Sequence, residues 1–415
     1  MKRYYQPVLV ALLSLNFGIV FFDRNALNFL MPFVQPDLGL SNTQVGLTAA
    51  ALSFTWAISG FLVGGLSDRI GRRKPIIIAA TVAFSLCSVL SGLATSFAIL
   101  IGARLLMGVA EGGILPVSQS LTAAEVSPER RGLAMGVMQN FGSNLLGSTA
   151  APILLVTFAA AYGWREAFFI AGIPGIVAAL LMWWVVREPP REVKITSAPV
   201  EKLTIAQAFV QKNILLCAGI SVLLVSYLVI CWSFMPLFLT RTRGFDPQTM
   251  GWLMATLGIS ATLGSFVVPG ISDRVGRRPV MILIPLLGVI LPLGAFFWDG
   301  SIWILAVIFF LGWALNGVFP LFMATIPSET VDPRHTATAL GLVMGTGEVL
   351  GGVLSPWAAG VAADAWGLTA PLWIMLGLAV AAGLLALMLE ETAPRLRASR
   401  NAALAPVVHK PIASS

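Results

Sequence analysis

The chain has 415 residues, of which 57% are hydrophobic and 11% charged, with a net charge of +7. Its mean hydropathy of +0.87, with about half the charge of an average soluble domain, excludes a soluble globular protein and leaves an integral membrane protein. The basic residues are spread over alternate loops instead of gathering on one polar face, which excludes nucleic acid as a partner.

Apolar runs of about 20 residues, each enough to cross a ~30 Å hydrocarbon layer, recur along the whole chain. They predict spanning helices over residues 8–35, 43–66, 75–94, 98–119, 132–158 and 166–186, then over 213–240, 248–268, 280–298, 302–326, 337–363 and 369–389. The fold class expected is therefore all-α, with twelve transmembrane helices in two groups of six. Residues 1–186 form the first bundle, 187–212 a cytoplasmic linker, 213–391 the second bundle and 392–415 a cytoplasmic tail. The linker holds Pro189, Pro190 and Pro199, and its end, Thr204 to Lys212, reads as a short amphipathic helix on the membrane surface. The tail of Ala, Pro, Arg and Ser reads as disordered.

Lys2 and Arg3 ahead of an apolar run imitate a signal peptide. No small-residue cleavage site follows and the run continues past Asp23 and Arg24, so it is read as the first span. Of the 26 Lys and Arg, Arg24 and Arg104 fall inside spans and Arg165, Arg241 and Arg243 in odd-numbered loops. The rest lie at the termini and in even-numbered loops, which places both termini in the cytoplasm of a cell (inner) membrane. Cys87, Cys217 and Cys231 sit in apolar segments and are read as packing, with neither disulfide nor metal. His335 and His409 lie in loop or tail, and no nucleophile–base cluster exists. An enzyme, and with it any cofactor, is not expected.

The run Gly64-Gly65-Leu66-Ser67-Asp68-Arg69-Ile70-Gly71-Arg72-Arg73 returns as Pro269-Gly270-Ile271-Ser272-Asp273-Arg274-Val275-Gly276-Arg277-Arg278. Asp68 and Asp273 are 205 residues apart, and the same step carries Pro128 to Pro333, Gly136 to Gly341 and Gly142 to Gly347. Two parallel repeats about a central axis are one way to build a site that faces each side of a membrane in turn.

Few charges lie at depth: Asp23 and Arg24 in helix 1, Arg104 and Glu111 in helix 4, and Glu348 in helix 11. Each costs roughly 2.5–3.5 kcal/mol at a helix centre, so a functional use is expected. Adjacent on a helix, Asp23 and Arg24 point about 100° apart, so at most one faces a central cavity squarely. One reading is structural, in which two acids and two bases neutralise each other and tie helix 1 to helix 4. The other is functional: the ionised acids occupy the arginines, and a proton on Asp23 or Glu111 frees one for a substrate anion. Proton and anion then raise each other's affinity by the same factor, as symport requires.

Gln139, Asn140, Ser143 and Asn144 make a polar strip on helix 5, read as cavity lining or as hydrogen bonding between helices. In the second half, Tyr227, Trp232, Trp252, Trp313, Asn316 and Phe319 are candidate lining residues, against the alternative that the aromatics pack or face lipid. Glu348 is expected in the cavity, bound to a substrate hydroxyl or a proton.

The doubled Gly-x-x-Ser-Asp-Arg-x-Gly-Arg-Arg loop and the six-plus-six layout resemble the major facilitator superfamily of secondary transporters. That resemblance implies gating roles for Asp68, Arg72, Asp273 and Arg277 at the cytoplasmic face. Phe21-Phe22-Asp23-Arg24-Asn25 and Arg104-x6-Glu111 further resemble the anion:cation symporter family, carriers of organic acids. The implied roles are protonation at Asp23 and Glu111, a carboxylate grip by Arg24 and support from Arg104. Family members that carry sugar acids often have a tyrosine before Asp-Arg, where this chain has Phe21 and Phe22.

The function expected is import of an organic carboxylate by proton symport, by a monomer in a lipid bilayer; a drug or metabolite/proton antiporter of the same fold is the alternative. Phe21, Phe22, Trp56, Trp313 and Phe319 are expected to outnumber the hydroxyl and amide groups of the cavity, which favours a less hydroxylated acid.

Overall fold

The structure, a computed structural model, describes residues 2–70, 72–188, 211–332 and 335–396. The surface helix expected up to Lys212 falls almost wholly outside those residues, as do most of the linker and the tail. Twelve helices are long and apolar enough to span a membrane: α1 (Tyr5–Leu38), α2 (Asn42–Val63), α3 (Lys74–Gly92), α4 (Phe97–Glu125), α5 (Leu133–Tyr162), α6 (Trp164–Val185), α7 (Lys212–Thr242), α8 (Pro247–Val275), α9 (Arg277–Phe297), α10 (Ile302–Thr330), α11 (Thr338–Trp366) and α12 (Thr369–Ala386). No strand occurs among the described residues.

Packing repeats with the sequence. α1 lies against α5 and α6, α2 against α4, and α3 against α6; in the second half α7 lies against α11 and α12, α8 against α10, and α9 against α12. Even single hydrogen bonds recur. Ser59 on α2 donates to the Val109 carbonyl on α4 at 2.6 Å, and Ser260 on α8 to the Phe310 carbonyl on α10 at 2.5 Å. The turns leaving α1 and α7 pass through Gly39 (φ 63°) and Gly244 (φ 69°), a left-handed conformation that glycine adopts without a Cβ clash.

Helix α5 is widened to π-helical geometry over Val137–Phe141 and Ser143–Ala150. Its cause is a side chain inserted into the hydrogen-bond ladder. The Ser14 hydroxyl of α1 donates to the Val137 carbonyl at 2.9 Å and accepts from the Gly142 N–H at 3.2 Å. Small residues allow this approach: a Cβ at Gly142 would collide with the Ser14 carbonyl oxygen, and one at Gly347 with the Ser221 hydroxyl of α7. By contrast, nothing lies within 4 Å of the Cβ position of Gly136 or of Gly341.

The two halves meet where α1 faces α7, α2 faces α11 and α5 faces α8. At the end away from the termini they are pressed together, since a Cβ at Gly46 would strike the Pro356 carbonyl, one at Gly258 the Ser148 backbone and one at Gly360 the Asn42 carbonyl. Toward the termini, Gly136 of α5 and Gly341 of α11 mark the opposite condition, each on a helix face with open space before it. Gly142→Ala is accordingly expected to lower the stability of the purified protein by about 1–3 kcal/mol through overpacking. Gly136→Ala leaves the melting temperature unchanged.

Candidate functional site

The seam between the halves holds a cavity of ≈490 Å³. All nine residues expected to contact substrate line it: Arg24, Arg104, Gln139, Asn140, Ser143, Asn144, Trp313, Asn316 and Glu348. Trp232 and Phe319 line it too. Two candidates do not. Trp252 is 62% exposed on the outer surface of α8, where an aromatic side chain meets lipid. Tyr227 is fully buried behind the wall and donates its hydroxyl to the Gly288 carbonyl at 2.8 Å.

The expected excess of aromatic groups does not hold. Among the described residues, six aromatic ones line the cavity against thirteen uncharged polar ones. Asn25, Asn28, Thr48, Ser53, Gln119 and Ser233 were among those not singled out. Asn28 had a signal, because it lies one helical turn beyond Arg24 and shares its face.

Asp23 and Arg24 diverge as neighbours on a helix must. Arg24 reaches the cavity, with its guanidinium carbon 5.6 Å from the centre of the Phe21 ring and 5.2 Å from that of Trp56. The guanidinium has no hydrogen bond or ion pair among the described residues. Asp23 is fully buried on the other side of α1, where Ser88 of α3 lies 2.6 Å from its Oδ1 and 2.9 Å from the Phe168 carbonyl. A hydroxyl has one hydrogen, so an ionised Asp23 receives it from Ser88. A protonated Asp23 instead donates to Ser88, which turns its hydrogen to Phe168; the second oxygen, Oδ2, is buried with no partner among the described residues.

Arg104 is 2% exposed; its Nη1 donates to the Arg24 carbonyl at 3.3 Å, and its guanidinium lies 5.7 Å from the centre of the Phe168 ring. Glu111, 1% exposed, has no partner for either carboxylate oxygen among the described residues. Neither lies within ion-pair distance of its expected partners. The tie between α1 and α4 thus runs through a backbone carbonyl, not through the ion pairs that the sequence suggested. The reason is direction: Asp23 turns toward α3, Arg24 into the cavity, and Arg104 passes beneath the α1 backbone. Around Glu111 the packing is close, because Gly108 and Gly112 bring the α4 backbone against Leu52, Trp56 and Gly60 of α2.

At the terminal end, Arg277 binds Asp273 within its own half and Glu329 at the end of α10 at 2.9 Å. Arg72 is exposed, while the Asp68 side chain falls outside the described residues. At the opposite end, hydrogen bonds that join the halves between described residues all end on Asp364 of α11. Its carboxylate accepts from the backbone N–H groups of Asn42 and Thr43 at 2.8 Å each, and from the Thr43 hydroxyl at 2.6 Å.

The sequence pattern of the Major Facilitator Superfamily matches residues 13–246 and again 215–414. The chain belongs to that superfamily. As a superfamily member it is a transporter and not an enzyme. It is 30% identical to a hexuronate transporter of Bacillus subtilis (strain 168) over 278 residues, a match covering 64% of this chain and 65% of the relative. With a probable sulfoacetate transporter of Cupriavidus necator the identity is 25% over 374 residues, covering 84% and 85%. Among solved structures, a bacterial homolog of the human lysosomal transporter Spinster, inward-facing and occupied, superposes with a TM-score of 0.72 at 21% identity. That match covers 95% of this chain and 97% of the other, and shows the superfamily fold.

Proposed function

We propose that this superfamily member carries an organic carboxylate into the cell together with protons, by rocking residues 1–186 against 213–391 about the central cavity. The observation that carries the reading is Arg24, an unpaired cation in the cavity wall held between two aromatic rings. The hexuronate and sulfoacetate transporters that it resembles are named for acids, which supports an anionic substrate. In this reading both termini are cytoplasmic, the protein works as a monomer in the inner membrane, and the splayed terminal end opens inward. The loop residues Asp68, Arg72, Asp273 and Arg277 govern closure of that end.

Coupling follows from charge. Asp23, Glu111, Arg24 and Arg104 together are neutral when all are ionised. They are packed where the effective dielectric is far below that of water, so a proton on either acid leaves an excess positive charge that draws an anion. Direct ion pairs are not needed for this. Substrate binding in turn favours the protonated cluster.

The test is uptake into proteoliposomes of labelled organic acids under an imposed proton gradient, beside counterflow without one. Accumulation driven by inward protons supports symport; accumulation driven by outward protons makes the protein an antiporter. Asp23→Asn and Glu111→Gln are each expected to abolish proton-driven accumulation while counterflow continues. Should both variants still concentrate substrate against its gradient, the proton sites lie elsewhere.

A further inference from the structure

Among the described residues that line the cavity, Arg24 and Arg104 are the cations and Glu348 is the sole carboxylate. Glu348 comes from the other half of the molecule, at the start of the π-helical stretch Gly347–Leu354 of α11. That stretch is drawn against α7 by Gly347, packed on Ser221, and by Gly351, packed on the Val222 and Val225 region. Beside it, Gly352 leaves the space that the carboxylate uses. A Cβ there would stand 3.1 Å from the Glu348 Oε2 and 3.6 Å from the Ser53 hydroxyl of α2. The carboxylate thus sits at the seam of α2 and α11, with no hydrogen bond or ion pair among the described residues.

A carboxylate is acceptor-only when ionised, so what satisfies it must be a donor. The cavity offers it no cation within ion-pair distance, and a second anion in the same enclosed space would be repelled. The charge balance narrows the class. With protons on Asp23 and Glu111 and with Glu348 ionised, the charges left are Arg24, Arg104 and Glu348, a net of one positive charge. A monoanion neutralises it; a dianion overshoots, and a zwitterion leaves it uncompensated. Thirteen uncharged polar lining residues supply partners for further hydroxyls.

We infer that Glu348 is the specificity-determining residue of the cavity, selecting a monocarboxylate that bears a hydroxyl away from its acid group and turning away the dicarboxylate of equal length. The inference rests on the proposed carboxylate grip by Arg24. Such a substrate has its acid end on the first half and its hydroxyl on the second, so a single molecule links the two halves across the seam. A dicarboxylate meets Arg24 equally well but brings its second charge against Glu348.

Equilibrium binding to the purified full-length protein tests this with matched probes: gluconate against glucarate, and meta-hydroxybenzoate against isophthalate. The wild type is expected to favour the hydroxy acid of at least one pair by about tenfold or more, from like-charge repulsion. In Glu348→Gln, whose amide keeps the shape without the charge, the preference falls to within about twofold, chiefly because the diacid gains. The inference fails if the wild type binds the diacid as well as its hydroxy acid, or if the preference persists in Glu348→Gln; either result leaves the carboxylate reading standing. Meta-(aminomethyl)benzoate is the third arm. Tighter binding of this zwitterion than of meta-hydroxybenzoate, lost in Glu348→Gln, overturns the hydroxyl as the partner. If none of the monocarboxylates binds the wild type, the proposed function falls and takes this inference with it.

Discussion

Arg24→Ala is expected to abolish carboxylate binding, and Arg24→Lys to restore little of it. The guanidinium stands in the cavity wall with its hydrogen-bond donors uncommitted, over the Phe21 and Trp56 rings at 5.6 and 5.2 Å. Two charge-assisted hydrogen bonds to a carboxylate contribute about 1.5–3 kcal/mol each. Their loss corresponds to roughly two to four orders of magnitude in affinity. A lysine keeps the charge but loses the flat, forked donor set and the stacking on Trp56. Arg104 is no substitute, because it is 2% exposed and one of its nitrogens is spent on the Arg24 carbonyl. Calorimetric titration of each variant, with melting curves to show that it remains folded, measures the effect. Affinity within a few-fold of the wild type in Arg24→Ala would move the grip to Arg104.

The twelve spans are legible because lipid demands a long apolar run from each one. Their ends are less so. Helix α4, expected over 98–119, continues to Glu125, since Gln119, Thr122 and Glu125 end the apolar run without ending the hydrogen-bond ladder. The π-helical turns of α5 were invisible in sequence because they depend on Ser14, more than a hundred residues away. Of the charges at depth, Arg24, Arg104 and Glu348 line the cavity, whereas Asp23 and Glu111 are buried behind its wall. Aromatic residues did not mark the site. Trp252 and Trp313 read alike along the chain, and only packing tells that one faces outward and the other the cavity. The polar lining was undercounted for a related reason: Thr48, Ser53 and Ser233 are small hydroxyls, a residue type able to bond a carbonyl of its own helix, as Thr48 does with Val45, so its presence in a membrane helix signals no face.

Asp364→Ala is expected to shift the protein toward the state open at the end away from the termini. Helix α2 already has its own cap, in which the Ser41 hydroxyl accepts from the Gln44 N–H at 3.1 Å and the Gln44 side chain accepts from the Ser41 N–H at 3.0 Å. This capping box leaves the N–H groups of Asn42 and Thr43 free, and those are the two that Asp364 takes. Helix α8, the repeat counterpart of α2, is capped within its own half by Asp246, which accepts from the Thr249 N–H at 3.0 Å. Among the described residues, only the α2–α11 seam therefore carries such a link across the halves. Loss of a cap costs about 0.5–2 kcal/mol, and here the cost falls on the closed end alone, because α2 keeps its box when Asp364 is removed. The equilibrium between the two openings should move by about two- to thirty-fold. Spin labels at Tyr162→Cys and Trp366→Cys, both exposed at this end while the native Cys87, Cys217 and Cys231 are buried, report it as a gain in the longer distance population. An unchanged distance distribution in Asp364→Ala would show that the packing of Gly46 on Pro356 and Gly258 on Ser148 holds this end shut without the carboxylate.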